Sequence, residues 1–136
     1  MEWKFYLGKL LRRTRHTAHV LLEKEGKFLL VQEATSMVRG LWGLPGGGID
    51  AGESIEQTAE REAEEETGFD VELLKDLGDI RDKKRSSVRH VFLGEIKSGE
   101  LKINEREHMD AGWFNKEEIQ SLKLRGDWVT EAINLI

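Results

Sequence analysis

The chain has 136 residues and a formal net charge of −5, with hydrophobic residues at 38% and charged residues at 35%. That length suits one domain with its own core, and no apolar run approaches the roughly 20 residues that a membrane span requires. Cysteine is absent, which excludes disulfides, thiolate metal sites and cysteine nucleophiles.

Residues 1–15 read as a basic, aromatic arm ahead of a domain over residues 16–136. Lys4, Lys9, Arg12, Arg13 and Arg15 stand there against Glu2 alone. Trp3, Phe5, Tyr6, Leu7, Leu10 and Leu11 are interleaved with them. The arm is expected to pack on its own domain or on a second subunit, as in a homodimer, in preference to RNA. It lacks the small-residue cleavage site of a signal peptide, so the expected address is the cytoplasm.

Thr17–Leu22 and Lys27–Glu33 are apolar runs split by Glu23-Lys24-Glu25-Gly26, a hairpin signal. Leu41–Leu44 leads into the glycine loop Pro45-Gly46-Gly47-Gly48. A helix is predicted to start near Ile55, where Ser54 and Gln57 form a capping box, and to end at Gly68. Val71–Leu77 and Ser87–Ile96 read as strands. Lys97-Ser98-Gly99-Glu100 reads as a turn, and Leu101–Ile103 as a short returning strand. Ala111–Phe114 is a further strand. Asn115 and Glu118 cap a short helix through Leu122. A last helix starts near Asp127 and is expected to bury Trp128, Val129, Ala132, Ile133 and Ile136. Strands alternating with helices make the fold class α/β.

The predicted helix from Ile55 carries the chemistry. On a helical wheel, Ile55, Ala59 and Ala63 form the core-facing stripe. Glu62 and Glu66 fall on that stripe and Glu65 at its edge, whereas Glu60 and Glu64 point away. A soluble helix normally keeps charge off its buried face. Carboxylates converging there repel one another and are desolvated unless a cation neutralises them. Hard divalent ions, Mg2+ or Mn2+, suit oxygen ligands at this spacing. Arg61, off that stripe, is placed to form an ion pair with Glu65 one turn on.

Gly47, Glu53, Arg61, Glu62, Glu65, Glu66 and Gly68 stand at the spacing G-x5-E-x7-R-E-U-x-E-E-x-G-U, with U apolar. This is the Nudix box, and over about residues 16–122 the chain resembles the Nudix hydrolases, which cleave nucleoside diphosphates linked to another group. Ala63 and Phe69 depart from the usual residues at two apolar slots. The resemblance implies an α/β/α sandwich around a mixed β-sheet. It implies Glu62, Glu65, Glu66, the Gly46 carbonyl and Glu53 as the metal shell, with Arg61 orienting Glu62. It also points to Glu107, in the loop Asn104–Met109, as a further ligand or base, so Glu62 and Glu107 both stand as candidate general bases.

Substrate class is read by elimination. Asp82-Lys83-Lys84-Arg85-Ser86-Ser87 has neither the proline of the ADP-ribose hydrolases nor the tyrosine of the dinucleoside polyphosphate hydrolases, and the coenzyme A signature is missing. The run from Arg39 to Gly47 and the segment Ser87–Leu93 look like the MutT group. A small-molecule nucleotide is therefore expected, a nucleoside di- or triphosphate with oxidised purines as candidates, bound by Arg39 and Asp127; the alternatives are ADP-ribose, a dinucleoside polyphosphate or an RNA 5′ end as substrate, or a module that senses a nucleotide without cleaving it. Asp127 has the competing role of N-cap to the last helix.

Overall fold

The structure is a computed structural model and describes residues 14–82 and 86–136. The predicted arm, apart from its last residues, lies outside the described residues, as do Lys83, Lys84 and Arg85. The first strand, β1 (Arg15–Lys24), begins at the arm's last position and is buried from Thr17 to Leu22. Residues of both its faces are covered, which marks a central strand. It turns into β2 (Lys27–Glu33) through Glu25 and Gly26, both at positive φ (53° and 77°). That is the two-residue hairpin turn whose twist matches the strands.

The hairpin partners separate after Glu23↔Phe28, and β4 (Gly46–Gly48) pairs with β1 over Thr17 to His19 instead. The predicted glycine loop is thus a short strand. Its backbone groups are taken up by β1, which an open loop would have left to solvent. On the other side β1 runs parallel to β6 (Ser87–Gly99), which pairs antiparallel with β5 (Phe69–Asp82). The main path is β3 (Trp42–Gly43), β2, β1, β6, β5, with β7 (His108–Phe114) added to β2. The sheet is mixed, as expected.

Period-two alternation divides the core. Ala18, Val20, Leu22 and Phe92 face α1 (Ile55–Thr67) through Ala59 and Ala63. Leu21, Leu30 and Val91 face the opposite layer, formed by Ile119 of α2 (Lys116–Gln120) and by Trp128, Val129, Ala132 and Ile133 of α3 (Asp127–Ile133). This is the expected α/β/α sandwich.

Helix α1 begins and ends where its caps require. Ser54 Oγ accepts from the Gln57 N–H at 3.0 Å, and the Gln57 side chain accepts from the Ser54 N–H at 2.9 Å. Gly68 closes the helix at φ 81°. Leu101–Ile103 forms no strand, because the Lys102 N–H serves the helix end, donating to the Thr67 carbonyl at 2.7 Å. β5 runs well beyond the predicted Val71–Leu77, with three register shifts against β6 that disturb its apolar alternation. Ile136 is 52% exposed, since α3 stops at Ile133 and leaves no turn to bury it. The N-cap of α3 is Gly126 and not Asp127, and no side chain caps it.

Candidate active site

The inner face of α1 presents two acids to a cleft of about 380 Å³. Glu66 is 5% exposed and accepts from the Gly46 N–H at 2.7 Å. Glu62 lies one turn earlier, its side chain 14% exposed, against the backbone of Gly47. A Cβ at Gly47 would stand 2.7 Å from the Glu62 carboxyl carbon, so any larger residue there would push the acid out of this position. Burial pushes the carboxyls of Glu62 and Glu66 above the usual carboxylate range, and that of Glu66 well above it. Arg61 opposes the shift at Glu62, and the Gly46 N–H opposes it at Glu66.

Arg61 makes both predicted contacts, with Glu62 and with Glu65, each at 3.1 Å. Its stronger partner is Glu53, which accepts from Nε at 2.7 Å and from the guanidinium terminus at 2.9 Å. This two-point contact holds Glu53 at a pKa of about 2. Thr58 donates to the same carboxylate at 3.1 Å. Glu53 therefore positions Arg61, and Arg61 positions Glu62.

β2 and the turn before β7 supply the facing acids. Glu33 ends β2, Glu107 ends that turn, and His108 opens β7 paired with Glu33. Glu66, Glu107 and His108 each bring one ligand atom to within 4.8 Å of the others. Buried carboxyls raised by desolvation beside such a cluster fit a divalent cation, which would reverse the cost of ionising them.

The remaining wall is basic. Arg15, Arg89 and Arg125 line the cleft with Thr17, His19 and Ser87. Arg89 lies 4.3 Å over the Trp128 ring, and Arg125 pairs with Glu33 at 3.3 Å. Burial, with Arg89 nearby, pushes the His19 imidazole down to about 3. Neutral His19 contacts Thr17 Oγ1 at 2.8 Å and the Leu44 carbonyl at 3.3 Å.

Of the residues singled out in the sequence, Gly46, Glu62, Glu66 and Glu107 meet at the cleft. Glu65 is exposed on the outer side of Arg61, and Glu53 is occupied by Arg61, so neither lines it. Arg39 is exposed and donates to the Ala34 carbonyl at 3.0 Å; Asp127 is exposed in the first turn of α3. Neither lines the cleft. Sequence reasoning missed Glu33, His108, His19, Arg89 and Arg125. Thr17 and His19 did carry a signal, as polar residues alternating with Ala18 and Val20 in a strand that is otherwise apolar.

The three-layer sandwich, with acids and arginines lining one cleft, is an α/β domain that carries a candidate cation and anion site. Residues 12–133 match the model of the NUDIX domain, and the chain belongs to that family. It is 36% identical over 98 residues to the 8-oxo-dGDP phosphatase of Homo sapiens, covering 70% of this chain and 30% of that one. It is 33% identical over 89 residues to the ADP-ribose pyrophosphatase of Methanocaldococcus jannaschii, covering 62% and 53%. The chain thus spans less than two thirds of either relative. A solved NUDIX hydrolase from Nitrosomonas europaea superposes with a TM-score of 0.80 at 26% identity, covering 90% of this chain and 87% of that one.

Proposed function

We propose that the protein hydrolyses a phosphoanhydride bond of a nucleoside di- or triphosphate with Mg2+ or Mn2+ as cofactor, and that oxidised purine nucleotides are among its substrates. One observation carries this reading: desolvated carboxyls and three arginines face each other across a single cleft. The acid wall suits a cation and the basic wall suits the anionic substrate that shares it. When bound, the cation supplies positive charge to the phosphate oxygens.

The chain's own groups do the rest. Glu62 takes the proton of the attacking water: it is held by Arg61 and shielded from solvent, whereas Glu107 is exposed. Glu66 and Glu107 hold the cation. Arg15, Arg89 and Arg125 hold and orient the phosphates. The oxidised-purine reading draws on the resemblance of Ser87–Leu93 to MutT homologues and on the relative of that activity. Kinship with an ADP-ribose pyrophosphatase makes ADP-ribose the comparison substrate.

The test is phosphate and pyrophosphate release, with Mg2+ or Mn2+, from 8-oxo-dGTP, 8-oxo-dGDP, dGTP, ATP, ADP-ribose, a dinucleoside polyphosphate and triphosphorylated RNA. Purine nucleoside di- or triphosphates should be cleaved fastest, and excess EDTA should abolish cleavage. Faster cleavage of ADP-ribose or RNA would overturn the substrate assignment. Full turnover by metal-stripped protein in EDTA would overturn the mechanism.

A further inference from the structure

We propose that His108 is a metal ligand, and that Glu66, Glu107 and the His108 imidazole form one mixed carboxylate–imidazole site that favours a transition ion such as Mn2+ or Co2+ over Mg2+. The inference rests on the reading of the cleft as a divalent-cation site and concerns which ion that site selects.

The starting observation is a buried imidazole that, among the described residues, makes no hydrogen bond. The His108 side chain is 1% exposed, and neither ring nitrogen has a hydrogen-bond partner among the described residues. Nε2 lies 3.6 Å from Glu33 and 3.7 Å from Glu66, too far for a hydrogen bond. Buried polar groups are ordinarily satisfied. The other fully buried histidine, His19, obeys this rule through both ring nitrogens. His108 does not, although it lines the cleft beside two acids.

Geometry supplies the second half. The three ligand atoms lie within 4.8 Å of one another. Around an ion with bonds of about 2.1 Å, opposite ligands stand about 4.2 Å apart. Small side-chain rotations would therefore close the set on an ion. The backbone brings adjacent residues to one point, because Glu107 ends a turn and His108 begins β7. The Glu107 carbonyl accepts from the Ala34 N–H at 2.8 Å, and the His108 N–H donates to the Asn104 carbonyl at 2.9 Å. Simple strand alternation would have sent the two side chains to opposite faces.

The donor set decides the ion. Carboxylates alone suit Mg2+, whereas an imidazole nitrogen raises affinity for first-row transition ions, with Co2+ above Mn2+.

The experiment loads the native protein with one equivalent of Mn2+ and reads electron spin echo modulation from directly bound 14N. One imidazole nitrogen should be seen. His108→Asn should lose it, and His19→Asn should retain it. By calorimetry, His108→Asn should cost Co2+ at least about tenfold in affinity and Mg2+ less than about threefold. Should His108→Asn fail to fold, native protein labelled with 15N-histidine and loaded with 113Cd2+ should show a cadmium–nitrogen coupling at His108. Mn2+ bound at full stoichiometry without nitrogen modulation, or modulation lost with His19→Asn instead, or a cadmium-loaded protein with no coupling at His108, would overturn the assignment and leave the cleft's cation reading standing. A protein that binds none of these ions would overturn both.

Discussion

Glu66 is buried, accepts one backbone N–H and is raised well above the usual carboxylate range. A carboxyl raised in the folded state adds stability below its unfolded value, and loses it as pH rises through the folded one. Glu66→Gln should therefore lower activity at least about a hundredfold, the scale for a ligand or a group that supports one. The same variant should melt at an equal or higher temperature than the native chain without metal at neutral pH. Turnover near the native level at saturating Mg2+ would remove Glu66 from the site. Arg61→Lys should be impaired as well, since an ammonium cannot reproduce the two-point contact with Glu53 while reaching Glu62; unchanged kcat and KM would reduce Arg61 to a surface ion pair. His19 acts in the opposite sense to Glu66. Its folded value of about 3 lies below the ordinary 6.5. Between these values the unfolded chain binds a proton that the folded one refuses, so this group costs about 1.4 kcal/mol of stability per pH unit as pH falls. Urea unfolding of the native chain and of His19→Gln from pH 6 down to pH 4 isolates this group: the two slopes should differ by close to one proton, with the native chain losing the more stability as pH falls. At this scale Glu62 and Glu66 were legible because helical periodicity places them on an apolar stripe. Glu33 and Arg125 were not, because their 3.3 Å contact joins residues 92 positions apart.

The start and stop of helix α1 are written locally, in Ser54, Gln57 and Gly68, and these caps give the sharpest element-scale tests. Ser54→Ala removes one side of the capping box and should cost about 1 kcal/mol. Gly68→Ala combines a left-handed backbone with a Cβ directed onto the Glu100 carbonyl. It should cost more than Ser54→Ala, and denaturant midpoints of the two variants decide the order. Gly47→Ala belongs to the contact between elements: its methyl would meet the Glu62 carboxyl, so turnover should fall far more than the melting temperature. Equal losses in both would mean that Gly47 serves only the pairing of β4. The element ends that were misread share one cause, since what decides them lies elsewhere in the chain. β4 became a strand because β1 diverges from β2, and Leu101–Ile103 stayed irregular because Lys102 caps a carbonyl of α1.

For the molecule as a whole, an ion held as proposed would couple the layers, because Glu66 comes from α1 while His108 and Glu107 come from β7 and the turn before it. An ion at a hundredfold excess over its Kd should stabilise the fold by about 2.7 kcal/mol. Mn2+ should accordingly raise Tm by on the order of 8 °C, and Glu66→Gln should remove most of that rise; an unchanged Tm would mean that the cleft holds no ion. Among the described residues no helix is long and apolar enough to cross a membrane. The amino-acid sequence by itself determined the box helix, its caps, the apolar alternation of β1 and β2, and the acids facing inward, because periodicity and capping act over a few residues. Only the tertiary structure decided what meets those acids. The parallel pairing of β1 with β6 sets Arg89 beside Thr17, and the antiparallel pairing of β2 with β7 sets His108 opposite Glu33. Such pairings depend on burying both faces of one sheet at once, and no local stretch of chain carries that information.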